Sequence, residues 1–245
     1  MIPTPILFRW WRLKWRLFGG EKAFRGMSNR EVFEKIYAED IWGRHDDGTP
    51  HSGPGSHEPE LVDPYLNAVT ALLERLGSVG TIIDIGCGDF SIGHRLAPHA
   101  EHYIGCDVAK TVIRTNREKW PLPNVAFREL DIATDTLPPG DVAIVRQVLQ
   151  HLSNADIASF VAKLHDHAPY KHLIVTEHLY RGRGFAPNRN KPSGRELRVQ
   201  SKSGVSLHEP PFNLRHISRE ILCETTAPIW HLDAFIRTTH YRLAE

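Results

Sequence analysis

An apolar run that leads into a glycine turn constrains the fold of this chain most strongly. Residues 81–85 are Thr-Ile-Ile-Asp-Ile, and residues 86–91 are Gly-Cys-Gly-Asp-Phe-Ser. The first segment is typical of a buried strand, and Gly86 and Gly88 allow backbone angles and a close ligand approach that other residues hinder. We expect a helix beyond Ser91, with its positive end facing the ligand. The pattern predicts a site for a nucleotide cofactor.

The glycine turn differs from the fingerprint of dinucleotide-binding proteins. That fingerprint is Gly-x-Gly-x-x-Gly, and here Ser91 takes the place of the third glycine. Asp89 would also repel a pyrophosphate lying across the turn, because both groups are negatively charged. We therefore expect a nucleotide cofactor of another kind.

More strands follow the turn at regular intervals. Residues 103–108 are the second strand and include Asp107, about 20 residues beyond the turn, where a carboxylate can accept from both ribose hydroxyls. Residues 127–132 are the third, with Asp131 placed to border an adenine ring, and residues 141–145 are the fourth. Strands and helices are expected to alternate along this part of the chain.

Together these motifs resemble those of the class I, Rossmann-like S-adenosylmethionine-dependent methyltransferases. The resemblance covers residues 60–180. It implies an α/β fold with a doubly wound, mostly parallel seven-stranded sheet, helices on both faces, an N-terminal helical extension and an insertion after strand 5. It also implies S-adenosylmethionine as the cofactor. The expected cofactor-binding residues are Asp84, Gly86, Cys87, Gly88, Asp107, Asp131 and Gln147.

Shorter motifs resemble a bacterial methyltransferase group often met among glycan-modifying enzymes. They are Phe33-x-x-Ile-Tyr37, Trp42-Gly43, Ser52-Gly-Pro-Gly-Ser56, Cys87-Gly-Asp-Phe90, His151-Leu-Ser153 and Pro210-Pro-Phe-Asn213. This resemblance implies the cofactor and the type of reaction. It does not define the acceptor.

Methyl transfer from a sulfonium is an in-line displacement, so a hydroxyl acceptor also needs a base. In open α/β sheets the chemistry lies beyond the carboxyl ends of the strands, which selects residues 146–151 after the fourth strand and Glu177 and His178 after the fifth. His151 is the leading candidate for the base, with its ring oriented by Asp156 or Glu177. His178 is the alternative base. A further possibility is that His151 has no catalytic role and only forms a hydrogen bond near the start of a helix.

Other kinds of site receive less support. His45, Asp46 and Asp47 are adjacent on a loop, and this spacing does not bring ligands together around an ion, so we expect no metal site. The glycine turn lacks the serine of a hydrolase nucleophile elbow. The 3 cysteines are odd in number and show no Cys-x-x-Cys spacing. They favour a reducing cytoplasm over a disulfide or zinc framework.

The N-terminal segment is amphipathic if it is helical. Within residues 5–18, Arg9, Arg12 and Arg16 fall on one stripe and tryptophan and leucine fill much of the rest. Such a helix suits a membrane interface, and it equally suits docking on the protein body. Since no apolar run reaches the ~20 residues that cross a bilayer, we expect a cytoplasmic protein with peripheral contact to the inner face of the cytoplasmic membrane.

Two segments flank the expected cofactor site. Residues 1–60 are expected to form the helical extension and a loop that is either a mobile linker or a lid over the cofactor, because residues 46–59 are rich in Gly, Pro, Ser and His. Residues 61–245 are expected to form the methyltransferase domain. Within it, residues 181–213 form an acceptor-side insertion.

The insertion is strongly basic. It holds 7 basic residues between Arg181 and Lys202 against one acid, Glu196. Arginine suits phosphate or carboxylate, so an anionic acceptor such as a phosphorylated or uronic-acid glycan fits, and so does a solvated loop. Because the formal net charge of the chain is only +1, contact with an anion must depend on such local patches.

Three functions remain open. The first is O-methylation of a glycan or another small anionic acceptor, lipid-linked acceptors included. The second is RNA methylation, because a basic lid can also follow a phosphate backbone. It is less favoured, since Arg146-Gln-Val-Leu149 differs from the Asn-Pro-Pro-Tyr type of enzymes that methylate exocyclic base nitrogens. The third is a membrane-attached adapter that keeps the cofactor fold without catalysis.

Overall fold

The structure, a computed structural model, describes Phe24 and residues 26–167, 169–229 and 232–243 of the chain. The amphipathic helix expected within residues 5–18 lies outside the described residues. None of the described helices combines the length and the apolar character that a membrane span requires.

In the described part of the chain, seven strands form one sheet in the order β3-β2-β1-β4-β5-β7-β6. The strands β1 to β5 are parallel to one another, whereas β7 is antiparallel to both β5 and β6. This arrangement confirms the predicted fold class. Their bounds are β1 Thr81–Ile85, β2 His102–Asp107, β3 Val125–Glu129, β4 Val142–Arg146, β5 His172–Tyr180, β6 His216–Thr226 and β7 Ala234–Leu243.

Helices cover both faces of the sheet. Alternate residues of β4 enter two different cores: Val142 and Ile144 pack in one, and Ala143 and Val145 pack in the other. A strand buried on both faces reads as a continuous apolar run, which explains the signal in the sequence. The helices are α1 Asn29–Ala38, α2 Pro59–Leu76, α3 Gly93–Leu96, α4 Lys110–Lys119 and α5 Asn154–His167.

The hydrophobic spacing of the sequence predicts a helix over residues 29–42 that is capped by Asn29, and helix α1 differs from it at both ends. Ser28 is the cap: its hydroxyl accepts from the Glu31 amide, and the Glu31 carboxylate accepts from the Ser28 amide. This reciprocal pair is a capping box. The helix ends at Ala38, and Asp40 has a φ of 51° that no longer fits a right-handed helix.

The helices on either side of β1 also depart from expectation. The pair Asp63-Pro64 predicts a helix that begins there and runs to Leu76, but α2 begins at Pro59, because a proline at the first helical position loses no hydrogen bond. Helix α3, expected after Ser91, has only 4 residues. It passes into a 3-10 turn that contains Pro98, which has no amide to continue the helix. The helix whose N-terminus is predicted to face the ligand is therefore only about one turn long.

Of the last two strands, β6 lies nearer the N-terminus than the sequence suggests. Residues 230–244 predict two final antiparallel strands, but the described residues of this range supply only β7, and its partner β6 begins at His216. Strand β6 is an edge strand whose side chains, Ile217 and Ile221 among them, are mostly exposed. Because it buries no regular face, it leaves no clear hydrophobic alternation in the sequence.

Candidate functional site

The glycine turn follows β1 at the carboxyl edge of the sheet. The amides of Gly86 and Cys87 both donate to the carbonyl oxygen of Cys106, at 2.7 and 2.9 Å. Gly86 has a φ of 78° and Gly88 a φ of 54°. A Cβ atom added to Gly86 would lie 2.2 Å from the side chain of Val148, so only glycine fits between the turn and the exit of β4.

Asp107 ties the end of β2 to this turn. One carboxylate oxygen accepts from the Gly88 amide at 3.1 Å, and the other accepts from the Ala109 amide at 2.9 Å. Burial raises the pKa of Asp107 to about 6 although these hydrogen bonds act to lower it. The structure thus brings Gly86, Cys87, Gly88 and Asp107 together, as the sequence predicted.

Two further predicted residues lie around this turn. Asp84 is buried in β1 and accepts from the Tyr103 hydroxyl at 2.9 Å, and burial raises its pKa to about 7. Burial likewise raises the pKa of the Cys87 thiol well above its usual value, so that side chain stays neutral. Both residues support the turn from the interior of the fold.

Asp131 follows β3 and lies beside the start of α1. One of its oxygens accepts from the Ala133 amide at 2.9 Å and from the Asn29 side chain at 3.5 Å. Helix α1 is therefore tied to the strand end that the sequence assigned to adenine binding.

Strand β4 ends in a strained residue. Gln147 has a φ of 57°, and its amide donates to the Thr176 carbonyl at 2.7 Å. The side-chain nitrogen of Gln147 is buried and has no hydrogen-bond partner among the described residues. A polar group of this kind is costly unless a ligand or water satisfies it, so Gln147 fits a ligand-binding position.

Residues 44–57, which we call the covering loop, lie directly on the glycine turn. Ser52 accepts from the Asp89 amide at 2.7 Å through its hydroxyl and donates its own amide to the Asp89 carboxylate at 2.9 Å. On the far side, Arg146 donates to the Gly55 carbonyl at 2.7 Å. The loop therefore bridges the exits of β1 and β4 and closes over the crevice between them.

The described cavities lie elsewhere. The larger one has a volume of about 260 Å³ and is lined by residues of α2 together with Arg95. The other, about 190 Å³, is lined by residues 134–137, Lys163 and Pro169. Neither reaches the glycine turn, because the covering loop occupies the space above it.

Asp89 is the point at which the loop and the turn meet. Its Oδ2 atom lies 3.2 Å from His45 Nε2 and 2.8 Å from His57 Nε2. Burial acts to raise the pKa of Asp89, but hydrogen bonds from His57 and Ser91 outweigh it and hold that pKa below its usual range. Sequence reasoning missed this cluster, because His57 is 32 positions away from Asp89.

His151 lies in a 3-10 turn, Leu149–His151, after β4. Its Nδ1 atom is 3.2 Å from the Gly194 carbonyl oxygen, and its ring packs 5.2 Å from the ring of Trp42. Burial, and then the charge of Lys191, lower the pKa of His151 to about 3. The ring is therefore neutral near pH 7.

The prediction that Asp156 or Glu177 orients the His151 ring is wrong. The Asp156 carboxylate accepts from the hydroxyls of Ser153 and Ser193. The two oxygens of Glu177 accept from the amides of Leu149 at 2.9 Å and Gln150 at 2.8 Å. Because amides and hydroxyls occupy both carboxylates, the backbone at Gly194 is left to orient the ring.

Glu177 and His178 lie within β5, whereas the sequence placed them after it. The strand continues to Tyr180 because β7 pairs with it along this whole stretch. Burial raises the pKa of Glu177 to about 8, so this carboxyl holds its proton more tightly than an exposed one. Its hydrogen bonds fix the turn that carries His151.

His178 differs from His151 in its ring contacts. The Nδ1 atom of His178 is buried and has no hydrogen-bond partner in the described part of the protein. Its backbone amide donates to the Gln150 side chain at 3.1 Å. Burial, and then the charge of Arg146, lower the pKa of His178 to about 4.

The basic insertion holds the turn at His151 from outside. The Gly194 amide and the Lys191 ammonium both donate to the His151 carbonyl, at 2.8 and 3.1 Å. Arg198 is 1% exposed and donates to the carbonyls of Leu152 and Arg189. Part of the positive charge of the insertion is thus engaged by backbone carbonyls.

The fold and the site define an α/β domain of the Rossmann-like type with a crevice for a nucleotide cofactor between β1, β2 and β4. Residues 83–168 match the family model described as a methyltransferase domain. No curated protein matches the sequence. Residues 83–168 therefore carry an S-adenosylmethionine-dependent methyltransferase domain.

Solved structures share this fold at low sequence identity. The N-methyltransferase NodS from Bradyrhizobium japonicum, in complex with S-adenosylhomocysteine, is 15% identical with a TM-score of 0.61, over 87% of this chain and 100% of that chain. The N-terminal domain of EvdMO1, in the presence of S-adenosylhomocysteine and D-fucose, is 16% identical with a TM-score of 0.54, over 89% and 98%. The DhpI complex with S-adenosylhomocysteine is 14% identical with a TM-score of 0.52, over 88% and 96%.

The lowered pKa of His178 predicts an acid-sensitive contribution to folding. The neutral His178 ring contributes stability that is fully present above the pKa of the unfolded state, near 6.5. This contribution is lost as pH falls toward the pKa of the folded state, about 4. Between pH 7.5 and pH 5 the wild type should therefore lose about 2 kcal/mol more than His178→Gln. Urea unfolding at the two pH values measures this difference.

A matched control replaces His102, which is exposed at the start of β2. His102→Gln should follow the wild type at both pH values. An equal pH dependence in wild type and His178→Gln would show that His178 does not resist protonation in the folded protein.

Proposed function

We propose that this protein transfers a methyl group from S-adenosylmethionine to a hydroxyl of a small anionic acceptor, most simply a glycan that carries phosphate or carboxylate. The observation that carries the proposal is the position of His151 at the carboxyl edge of the sheet, with its Nδ1 atom at the Gly194 carbonyl and with Lys191 beside it. A base and a positive charge next to one another suit an acceptor with a hydroxyl and an anionic group.

The residues at the glycine turn fit the cofactor. Gly86 and Gly88 have positive φ angles, which turn the backbone in a way that lets a ligand approach it closely. Asp107 would accept from the ribose hydroxyls, and the unpartnered amide nitrogen of Gln147 would donate to the ligand. When bound, S-adenosylmethionine supplies a methyl carbon made electrophilic by its sulfonium.

His151 is the proposed proton acceptor. If its Nδ1 carries the hydrogen that faces the Gly194 carbonyl, the lone pair lies on Nε2 and can accept the acceptor's proton. Nε2 lies 3.4 Å from the Gln150 side-chain nitrogen, a weak contact that an acceptor hydroxyl can replace. His151 would take the proton that the acceptor hydroxyl loses as its oxygen receives the methyl group.

Glu177 and His178 have different proposed roles. Glu177 fixes the amides of the 3-10 turn, so it positions His151 without touching the acceptor. His178 is the second candidate for the base, because its buried Nδ1 has no described partner and is able to accept a proton.

Two features support an anionic acceptor, and a third supports a glycan. Lys191 contacts the His151 carbonyl, and its charge lowers the pKa of the ring. Arg195 is the next basic residue along the insertion, adjacent to Gly194. Among the structural neighbours, EvdMO1 has been crystallised with a sugar present, and this supports a glycan as the acceptor class.

The test is a screen for methyl transfer. Labelled S-adenosylmethionine is offered with cell-envelope glycans, lipid-linked intermediates, free anionic sugars and total RNA. Label in an anionic glycan fraction is expected. Label only in RNA would overturn the glycan proposal, and the absence of turnover with every fraction would favour an adapter that keeps only the fold.

With an acceptor in hand, His151→Ala should lower kcat by about a hundredfold or more, while the affinity for S-adenosylhomocysteine stays nearly unchanged. His178→Ala is measured in parallel, and His102→Ala serves as the control for removing an exposed histidine. If His178→Ala shows the large loss and His151→Ala does not, His178 is the base. Near-full activity in both variants would contradict a histidine base.

Cofactor binding is tested separately from catalysis. Asp107→Ala should weaken S-adenosylhomocysteine binding by about 1.5 to 3 kcal/mol, the usual worth of a hydrogen bond to a charged group. Calorimetry measures the affinity, and thermal unfolding checks that the variant is folded, because Asp107 also holds the Gly88 amide. The exposed Asp63→Ala should bind as the wild type does. Unchanged affinity in folded Asp107→Ala would remove Asp107 from the cofactor site.

A further inference from the structure

Three potential metal ligands converge where the covering loop meets the glycine turn. Among the described residues, His45, His57 and Asp89 are the one group of three His, Cys, Asp or Glu side chains whose donor atoms lie within 4.8 Å of one another. His45 and His57 lie near the two ends of the covering loop, and Asp89 belongs to the glycine turn. The cluster is separate from His151, Glu177 and His178.

The spacing of these atoms is close to that of a metal site. The two imidazole Nε2 atoms lie 3.2 and 2.8 Å from the same Asp89 oxygen. In a tetrahedral zinc site with bonds near 2.0 to 2.2 Å, neighbouring ligand atoms are about 3.3 to 3.6 Å apart. The two distances to Asp89 are shorter than that, and all three donor atoms lie within 4.8 Å of one another, so small shifts of the His45 and His57 rings would place an ion between them.

The burial of the cluster also suits an ion. Asp89 is 8% exposed, whereas the side chains of His45 and His57 remain about one quarter exposed, at 26% and 25%. A buried carboxylate supplies the negative charge, and the exposed sides of the rings leave a path for an ion and for a fourth ligand such as water.

The surroundings hold the rings in place. The His51 ring stacks on the His57 ring with centroids 3.9 Å apart, and its Nδ1 accepts from the Gly53 amide at 2.9 Å. The amides of Ser52 and Ser91 donate to the two oxygens of Asp89. Such outer contacts orient metal ligands and are part of a working site.

We propose that His45, His57 and Asp89 bind a divalent transition-metal ion, with Zn²⁺ as the best match, and that the ion fastens the covering loop to the glycine turn. Two imidazoles and one carboxylate suit zinc and its neighbours in the first transition row better than Mg²⁺ or Ca²⁺, which prefer oxygen ligands. The ion acts on access to the cofactor crevice and takes no part in moving the methyl group.

This proposal departs from the expectation of no metal site. That expectation considered His45 with its neighbours Asp46 and Asp47, and Asp47 in fact pairs with Lys119 at 3.0 Å. The ligands that converge with His45 are 12 and 44 positions farther along the chain. Only the folding of the loop onto the turn brings them together.

The experiment uses the full-length chain without a histidine tag, freed of metal by a chelator. Titration with Zn²⁺ followed by calorimetry should give one ion per chain, and Co²⁺ should give the visible absorption bands of an ordered four- or five-coordinate site. His57→Gln and Asp89→Asn should each weaken binding by about tenfold or more, because each removes a ligand.

The matched control is His172→Gln. The Nδ1 atom of His172 lies 2.9 Å from Nε2 of His240. His172 is at the start of β5, at the end of the strand that lies away from the glycine turn. This variant should bind Zn²⁺ as the wild type does. Loss of binding in His172→Gln with retention in His57→Gln would overturn the proposal, and so would the absence of stoichiometric binding to the wild type.

Two further readouts guard against a variant that fails to fold. Zn²⁺ should raise the Tm of the wild type and leave the Tm of the folded variants unchanged, since an ion that binds only the native site stabilises only that state. Hydrogen exchange should show added protection of residues 44–57 and of the Asp89 amide when Zn²⁺ is present. A Tm rise without that protection would overturn the fastening of the loop.

Discussion

The burial of β1 and β4 on both faces is the constraint on which the rest of the structure depends. Ile82 and Ile83, adjacent in β1, enter separate cores, so apolar side chains cover both faces of the strand. A ligand can then reach the sheet only beyond the carboxyl ends of the strands, where short connections meet at one edge. The glycine turn, Asp107 and the exit of β4 gather there for that reason.

At this edge, buried carboxylates organise backbone. Asp107 fixes the Gly88 amide, Glu177 fixes the turn before His151, and Asp89 fixes the covering loop. Each accepts hydrogen bonds from backbone amides in place of water, which holds irregular segments rigidly. The same covering loop that completes the crevice also closes it. Ligand entry therefore requires the loop to break the hydrogen bonds that Ser52 makes with Asp89 and that Gly55 makes with Arg146.

The sequence predicted what regular periodicity and local motifs encode. The parallel strands, the glycine turn and Asp107 follow from apolar runs and fixed spacing, and the structure agrees. Contacts between distant segments left no such signal: the orientation of His151 by Gly194, and the meeting of His45 and His57 with Asp89, depend on how two loops fold back on the sheet. Edge strand β6 was missed for a related reason, since it buries no continuous face.

A crystal structure with bound S-adenosylhomocysteine tests the central claim most directly. We expect the ligand in the crevice between the glycine turn and the end of β4, with its ribose hydroxyls bound to Asp107. Residues 44–57 should cover its outer side, and its sulfur should face the side of the crevice that holds His151. A ligand bound away from Gly86 and Gly88, or one whose ribose makes no contact with Asp107, would contradict it.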